Sequence, residues 1–380
     1  MSLEIQPQAS PAVEPVADSI AVEVVSPPFR PGLAGWVARG VVMAAVAAVV
    51  FLVPTVRGNV EVHIYTQAVI YAIIGLSLNV LLGYTGQISL GHQAFVGIGA
   101  FTSAYMVTVQ GQPFLAAIGM AMVVGGIQAL VLGAVSLRIT GLYFALVTLA
   151  YGTMAEESLF NIQKLTGGSA GQPAPKPMWF TTDLRYYYLC LAFLTAVVWV
   201  DWRLMKTKGG RALAAVRENP RVAATFGTDV KVYTLMAFVV AGVFAGLGGA
   251  LLAHNDTFVV RDLFNFQLAL VFVIMTVVGG LRNRTGVVIG SAFFSLVGYF
   301  FDKLFSGGLH VPGIKVLPKE YAPIVIGPML LLFTLTRHPG GMGQRIRPIQ
   351  RWLRGGRFSS RDTHDDPTSS GGERVSDVRA

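Results

Sequence analysis

The sequence predicts an all-α, polytopic integral membrane protein with about ten transmembrane helices. Of its 380 residues, 53% are hydrophobic and only 13% are charged, whereas soluble domains carry about 25% charged residues. The mean hydropathy is +0.59. No Asp, Glu, Lys or Arg occurs between Val62 and Leu137. Because a helix needs about 20 apolar residues to cross the hydrocarbon core, this stretch alone should hold three crossings.

Ten apolar stretches, separated by Gly-rich, Pro-rich or charged segments, define the predicted spans and make residues 33–336 a transmembrane domain. The last two stretches are short, so tilt or partial burial in the bundle is expected for them. In chain order the spans are Leu33–Val56, His63–Leu82, Leu90–Val109, Phe114–Leu137, Gly141–Ile162, Tyr186–Trp202, Val232–His254, Leu263–Leu281, Gly286–Phe301 and Tyr321–Thr336.

The two ends of the chain are expected to be disordered cytoplasmic tails, residues 1–32 and 337–380. The first holds no Lys or Arg before Arg30, unlike a signal peptide, which begins with a basic region. The second is basic and then rich in Ser, Gly and Asp. Arginines interleaved with apolar residues around Trp352 predict contact with anionic membrane lipids.

The positions of Lys and Arg predict a multi-pass membrane protein with both termini in the cytoplasm. This orientation places most of the basic residues on the inner side of the membrane. The net charge of +9 therefore does not indicate nucleic acid as a partner. The one cysteine, Cys190, lies in an apolar span and is interpreted as an inert buried thiol.

One long charged segment, Arg203 to Lys231, interrupts the apolar stretches, and the rest of the chain is organised around it. Arg211–Val216 and Pro220–Phe226 predict two short helices, with Asn219 as the N-cap of the second and Gly227 at its end. Two amphipathic helices on a cytoplasmic loop favour a docking surface for a separate protein. An ordinary basic loop beside the membrane would also explain the charge.

Polar residues cluster around a Gly-rich break that is predicted between the second and third spans, at Gly83–Gln87. Polar groups within a membrane are costly, and broken backbone is tolerated there when protein buries it or when it lines a water-filled cavity. We therefore expect a substrate pathway at this break, although a hydrogen-bonded packing role is the ordinary alternative for the histidine. The candidate residues are Asn79, Gln87, Ser89, His92 and Gln93.

Small residues recur at four-residue spacing along the seventh span, where they allow backbones to approach closely in lipid. Packing inside the bundle is expected above all at Ala241, Ala245 and Gly249. The sequence contains no G-x-x-x-x-G-K-[ST] phosphate loop, no HExxH, no CxxC and no serine-nucleophile elbow. It therefore predicts no enzyme activity, no cofactor and no metal site.

Several sequence blocks resemble the permease subunits of branched-chain amino acid ABC importers, of the LivM type. They are Gly75–Asn79, Gly83–Phe95, Gly97–Phe101, Gly141–Phe144, Leu165–Ser169, Gly210–Leu213 and Ala245–Ala250. The resemblance implies an importer of branched-chain or other small amino acids in the bacterial plasma (inner) membrane. It also implies a homologous second permease, two ABC ATPase subunits that bind the ATP, and an extracytoplasmic solute-binding protein. By the same likeness, the ATPase-coupling residues are Arg211, Leu213, Ala215, Arg217, Glu218, Ala223, Ala224 and Gly227.

The chain departs from the family pattern at Leu281–Gly286, where Arg282 and Arg284 replace a Gly/Ser-type turn. Three other interpretations stay open at this stage. One is a permease for urea or short-chain amides. Another is an autonomous secondary transporter or channel, for which Glu156 and Glu157 would be the intramembrane carboxylates. A structural membrane scaffold has little support from the many Gly-broken and polar positions.

Overall fold

The computed structural model describes residues 58–139 and 141–306, together with isolated positions between 37 and 56, Gly343 and Trp352. The described part is a helical bundle with one two-stranded antiparallel sheet, in which Gln172 pairs with Val259 and Pro173 with Phe258. The helices are α1 (Asn59–Leu78), α2 (His92–Thr108), α3 (Phe114–Ser136), α4 (Leu142–Glu157), α5 (Gln163–Thr166), α6 (Asp183–Lys206), α7 (Lys208–Glu218), α8 (Pro220–Thr225), α9 (Val230–Asp256), α10 (Phe266–Gly279) and α11 (Arg284–Ser306). The strands are β1 (Gln172–Pro173) and β2 (Phe258–Val259).

The second to ninth predicted spans are confirmed as helices, each within a few residues of its expected bounds. Four helices in the described part are long and apolar enough to cross a membrane: Val60–Thr85, Phe114–Ser136, Asp183–Lys206 and Val230–Asp256. The all-α membrane class is thereby confirmed, and the count of ten spans stays a prediction. The tenth span and both tails lie outside the described residues, and only scattered positions of the first span are described.

Helix α9 forms the centre of the bundle because its small residues let α2 and α3 approach its backbone. A Cβ atom added to Gly249 would overlap the carbonyl oxygen of Val96 in α2, and one added to Gly246 would overlap that of Ala121 in α3. Ala241 and Ala245, on the same helix, are completely buried. The predicted packing row therefore lies against helices of the same chain, as close approach in lipid requires.

The break that the sequence predicts at Gly83–Gln87 begins a few residues later in the structure. Helix α1 does not end near Leu82 but continues as a π-helix, Asn79–Thr85, which stops at Gly86 with φ 74°. A π-helix keeps its backbone hydrogen-bonded by i→i+5 contacts, so Gly83 does not interrupt the helix. The irregular backbone lies instead between Gly86 and Gly91, immediately before α2.

The outward surfaces of α3 and α6 are largely apolar. Only 39% of the most apolar stretch of α3, and 22% of that of α6, is buried by the described residues. Val123, Val131 and Trp199 are among the large side chains left exposed there. In a membrane protein such faces meet lipid, so their exposure agrees with the fold class.

Candidate functional site

Helices α7 and α8 pack as a pair at the end of the bundle where α9 begins. Gly210, Leu213 and Val216 recur every three residues along α7 and are buried, which fixes that helix on the bundle. The side chain of Asn219 accepts hydrogen bonds from the amides of Arg221 and Val222, at 3.1 and 3.2 Å. The predicted N-cap of the second helix is therefore confirmed, with Pro220 at its first position.

Two residues at the end of α7, the half-buried Arg217 and the exposed Glu218, contact neighbouring elements. Arg217 Nη1 donates a hydrogen bond to the carbonyl oxygen of Gly83 in the π-helix. Glu218 Oε1 accepts one from Arg282 Nη2 at 2.6 Å. That hydrogen bond lowers the pKa of Glu218 below its ordinary value, so the carboxylate is ionised at neutral pH. Burial lowers the pKa of Arg217, from a value high enough that the guanidinium stays charged.

The turn between α10 and α11 also contacts the π-helix. The amide of Arg282 donates to Asn79 Oδ1 at 3.0 Å, so the first residue of the π-helix is joined to the turn. The backbone of Arg282 is in the left-handed region, with φ 65°. Gly83 faces the same point, because a Cβ atom there would overlap Asn79 and lie 3.2 Å from the amide nitrogen of Arg282.

A buried carboxylate, Asp201 of α6, forms a second link between the turn and the π-helix. Its side chain has no exposed surface. Asp201 Oδ2 accepts hydrogen bonds from Arg284 Nε at 2.8 Å and from the Tyr84 hydroxyl at 3.1 Å. Arg284 belongs to α11 and Tyr84 to the π-helix, so α6, α11 and the π-helix meet at one carboxylate. Buried charges in proteins are normally paired in this way.

The outer surface of the α7–α8 pair is exposed and partly apolar. Of the predicted coupling residues, Arg211, Ala215, Glu218, Ala224 and Gly227 are exposed, whereas Leu213 and Ala223 are buried against the bundle and Arg217 is half-buried. Sequence reasoning missed Val222 and Phe226, which are 48% and 83% exposed. Val222 lies in α8 and Phe226 directly follows its last residue, and their four-residue spacing in the predicted helix Pro220–Phe226 was the available signal.

Sequence reasoning also gave no role to Asp201 and Tyr84. The available signal for Asp201 was its charge inside an apolar span, since intramembrane carboxylates are paired or functional. Arg282 and Arg284 stood out only as departures from the family pattern. Their partners lie far away in the chain, so spacing could not have assigned them.

Among the predicted pathway residues, His92 lies between helices and is completely buried. Ser77 Oγ in α1 donates to the Ala241 carbonyl in α9 at 2.6 Å and lies 3.0 Å from His92 Nε2. Because the single hydroxyl proton of Ser77 is used on Ala241, the neutral His92 ring must donate from Nε2. His92 thus helps to join α1, α2 and α9 in this conformation.

The other pathway candidates point in different directions. Asn79 faces Arg282, and Gln93 faces Gly152 of α4. Ser89 is buried and Gln87 is half-buried. Both amide atoms of Gln93 and the hydroxyl of Ser89 lack a hydrogen-bond partner among the described residues. The structure therefore does not gather the five residues around one point, and their role in a pathway stays a prediction.

The carboxylates of the secondary-transporter interpretation lie at the end of α4. Glu157 is exposed and is 3.6 Å from Arg261, and Glu156 is half-buried. Within the described ranges, no group of three or more His, Cys, Asp or Glu side chains is arranged to hold a metal ion.

Comparison with known proteins identifies the family. Residues 60–334 match the family model described as branched-chain amino acid transport system / permease component. The chain belongs to this family. It is a membrane permease subunit of an ABC importer and not an enzyme, and in this family the ATPase activity resides in separate subunits of the transporter complex.

The chain is similar to the following three bacterial permease proteins. The high-affinity branched-chain amino acid transport system permease proteins LivM of Salmonella typhimurium and Escherichia coli are 29% and 28% identical over alignments of 320 residues, gaps included. These alignments cover 77% of this chain and 71% of each relative. The nucleoside ABC transporter permease protein NupC of Lactococcus lactis is 32% identical over 155 residues, 38% of this chain and 45% of that protein.

Proposed function

We propose that this chain is the LivM-type permease of an ATP-driven importer whose substrates are branched-chain amino acids. The substrate class is supported by the two LivM relatives, which match most of the chain, and by the family description. The proposed complex contains a homologous second permease, two ABC ATPase subunits and an extracytoplasmic solute-binding protein.

The observation that carries the proposal is the α7–α8 pair. Its inner side is bonded to the π-helix and to the α10–α11 turn, whereas Val222 and Phe226 on its outer side are exposed apolar residues beside exposed arginines. Aromatic residues are enriched at protein interfaces, so an exposed phenylalanine near exposed arginines is consistent with a docking surface. With both termini in the cytoplasm, this surface would face the ATPase subunits.

The same proposal assigns the substrate pathway to the irregular segment before α2. Buried polar groups without a partner are costly, and Gln93 and Ser89 are such groups in the described conformation. A second conformation in which water or substrate reaches them would remove that cost. Movement of the α7–α8 pair by the ATPases would drive the exchange between the two conformations.

The test is uptake of radiolabelled leucine by liposomes that contain the whole complex, with and without ATP. Phe226→Ala should weaken ATPase association about tenfold or more, because an aromatic interface anchor contributes about 2 kcal/mol. Phe293→Ala, which changes a partly exposed phenylalanine of α11, is the matched control. Uptake that proceeds equally without ATP would contradict the proposal and favour a gradient-driven carrier. Competition by unlabelled nucleoside or urea, but not by valine, would reassign the substrate.

A further inference from the structure

The turn between α10 and α11 contains an unusual backbone conformation. Among the residues that the structure describes, Arg282 and Thr257 are the non-glycine residues with positive φ. A side chain with a Cβ atom disfavours the left-handed region, and such a residue persists where its surroundings hold it there. Glycine at this position would be free of that strain, so the arginine requires an explanation.

Arg282 has two contacts, and they reach two different elements. Its amide donates to Asn79 Oδ1 in the π-helix at 3.0 Å, and its guanidinium donates to Glu218 Oε1 in α7 at 2.6 Å. Both contacts are present while the backbone of Arg282 is in the left-handed region. One residue of the turn therefore bridges the exposed helix pair and the irregular helix that continues α1.

A third hydrogen bond joins α7 directly to the π-helix. Arg217, the neighbour of Glu218 in α7, donates to the carbonyl oxygen of Gly83, one π-helical turn beyond Asn79. The end of α7 is thus tied to the π-helix both directly and through Arg282. Beyond the π-helix, α1 packs against α6, α9 and α11, so a displacement at this point would reach the centre of the bundle.

We infer that Arg282 is a positioning residue that makes α7 and the π-helix move as one body during transport. The inference rests on the proposed function, because it concerns the step between ATPase docking and the membrane helices. It goes beyond that function in naming a residue outside the docking surface, in the turn between α10 and α11.

The variant Arg282→Gly distinguishes the contact of the guanidinium from the contact of the backbone amide. Glycine keeps the amide that donates to Asn79 and accepts the positive φ without strain, while the ion pair of the guanidinium with Glu218 is lost. Glu218→Ala removes the same contact from the other side. Arg138→Ala, which changes an exposed arginine just after α3, is the matched control.

Two measurements on the complex in lipid test the inference. In Arg282→Gly, the amides of residues 79–85 should exchange hydrogen about threefold faster than in the parent, as expected for the loss of a partly exposed ion pair. Leucine transported per ATP hydrolysed should fall about fivefold while the ATPase subunits remain bound. The double variant with Glu218→Ala should be no worse than Arg282→Gly alone, because both changes remove one contact.

Each alternative result has a definite meaning. Unchanged exchange in the π-helix would overturn the inference whatever the transport rate. Faster exchange with an unchanged ratio of leucine to ATP would overturn it as well, since the contact would then be structural only. Additive effects of the two variants would do the same. A parent complex without ATP-linked uptake would instead refute the proposed function, and the exchange measurement alone would then decide whether Arg282 ties α7 to the π-helix.

Discussion

Asp201 shows how strongly a single side chain can determine the arrangement of this bundle. It lies in an apolar helix with no exposed surface, and its two hydrogen-bond donors belong to different elements. We predict that Asp201→Ala lowers the free energy of unfolding by about 3–5 kcal/mol, because Arg284 would be left as a poorly solvated charge without its partner. Thermal unfolding of the purified protein in detergent measures the effect.

The control for this prediction is an ion pair that is accessible to water. Glu218 is 70% exposed, so water screens its ion pair and Glu218→Ala should change stability far less than Asp201→Ala. The double variant Asp201→Ala, Arg284→Ala should be more stable than the sum of the single changes implies, because neither charge is then left alone. If Asp201→Ala and Glu218→Ala lowered the free energy of unfolding equally, burial would not set the strength of the Asp201 contact.

At the scale of residues, the sequence predicted local contacts better than distant ones. The Asn219 cap follows from a side chain and two amides within three residues, so propensity alone identified it. The partners of Arg282 and Arg284 are brought near by the packing of helices that are distant in the chain. His92 was recognised as a costly polar group, but only the structure shows that it contacts Ser77.

At the scale of elements, the contact of α9 with α2 is limited by backbone distance. A Cβ atom at Gly249 would overlap the Val96 carbonyl and lie 3.0 Å from the amide of Ala100. We expect Gly249→Ala to destabilise the protein by about 1–3 kcal/mol through overpacking. Gly119→Ala in α3 is the matched control, because nothing lies within 4 Å of the added atom. It should stabilise α3 by about 0.5–1 kcal/mol. A monodisperse, equally stable Gly249→Ala protein would contradict the observed packing.

Helix α8 has only six residues, so its cap should decide whether it persists. Asn219→Ala removes the acceptor for two amides and should weaken the helix by about 1 kcal/mol. Hydrogen exchange of residues 221–225 should then become about fivefold faster. Asn219→Asp keeps an acceptor oxygen and should preserve the protection. If both variants exchanged like the parent, packing of Ala223 and not the cap would hold α8.

The π-helix is the element that sequence reasoning described least well. Glycines at positions 83 and 86 predicted a break, but only Gly86 adopts the left-handed conformation that glycine favours. The carbonyl of Gly83 is instead bonded by Arg217, and Asn79 is bonded by Arg282. These contacts come from elements that follow much later in the chain. The composition of the segment therefore indicated irregular backbone but not its form.

At the scale of the whole molecule, one end of the bundle concentrates contacts that join several helices. The π-helix, the end of α6, the pair α7–α8 and the α10–α11 turn all meet there. At the other end of α9, His254 donates from Nδ1 to the Pro175 carbonyl at 2.7 Å and lies 2.9 Å from Ser103 Oγ. Both ends of α9 are thus fixed, while Ser89 before α2 and Gln93 in its first turn keep buried polar groups that have no hydrogen-bond partner among the described residues. A change of conformation that brings water or a polar partner to these two side chains would relieve that cost.

The last prediction uses thiol labelling to test whether the segment before α2 and the first turn of α2 open to water. Single cysteines at Gln87, Ser89 and Gln93, in a Cys190→Ala background, are exposed to a small water-soluble reagent in membranes that contain the complex. Gln87→Cys should react in the nucleotide-free state, because Gln87 is half-buried, whereas the buried positions 89 and 93 should be protected. A non-hydrolysable ATP analogue should raise the labelling rate at 89 and 93 if the second conformation admits water. Cys190 of the parent, which is completely buried, provides the unreactive control. Absence of labelling at all three positions in both states would show that the segment is dry packing, and the pathway would have to lie elsewhere in the complex.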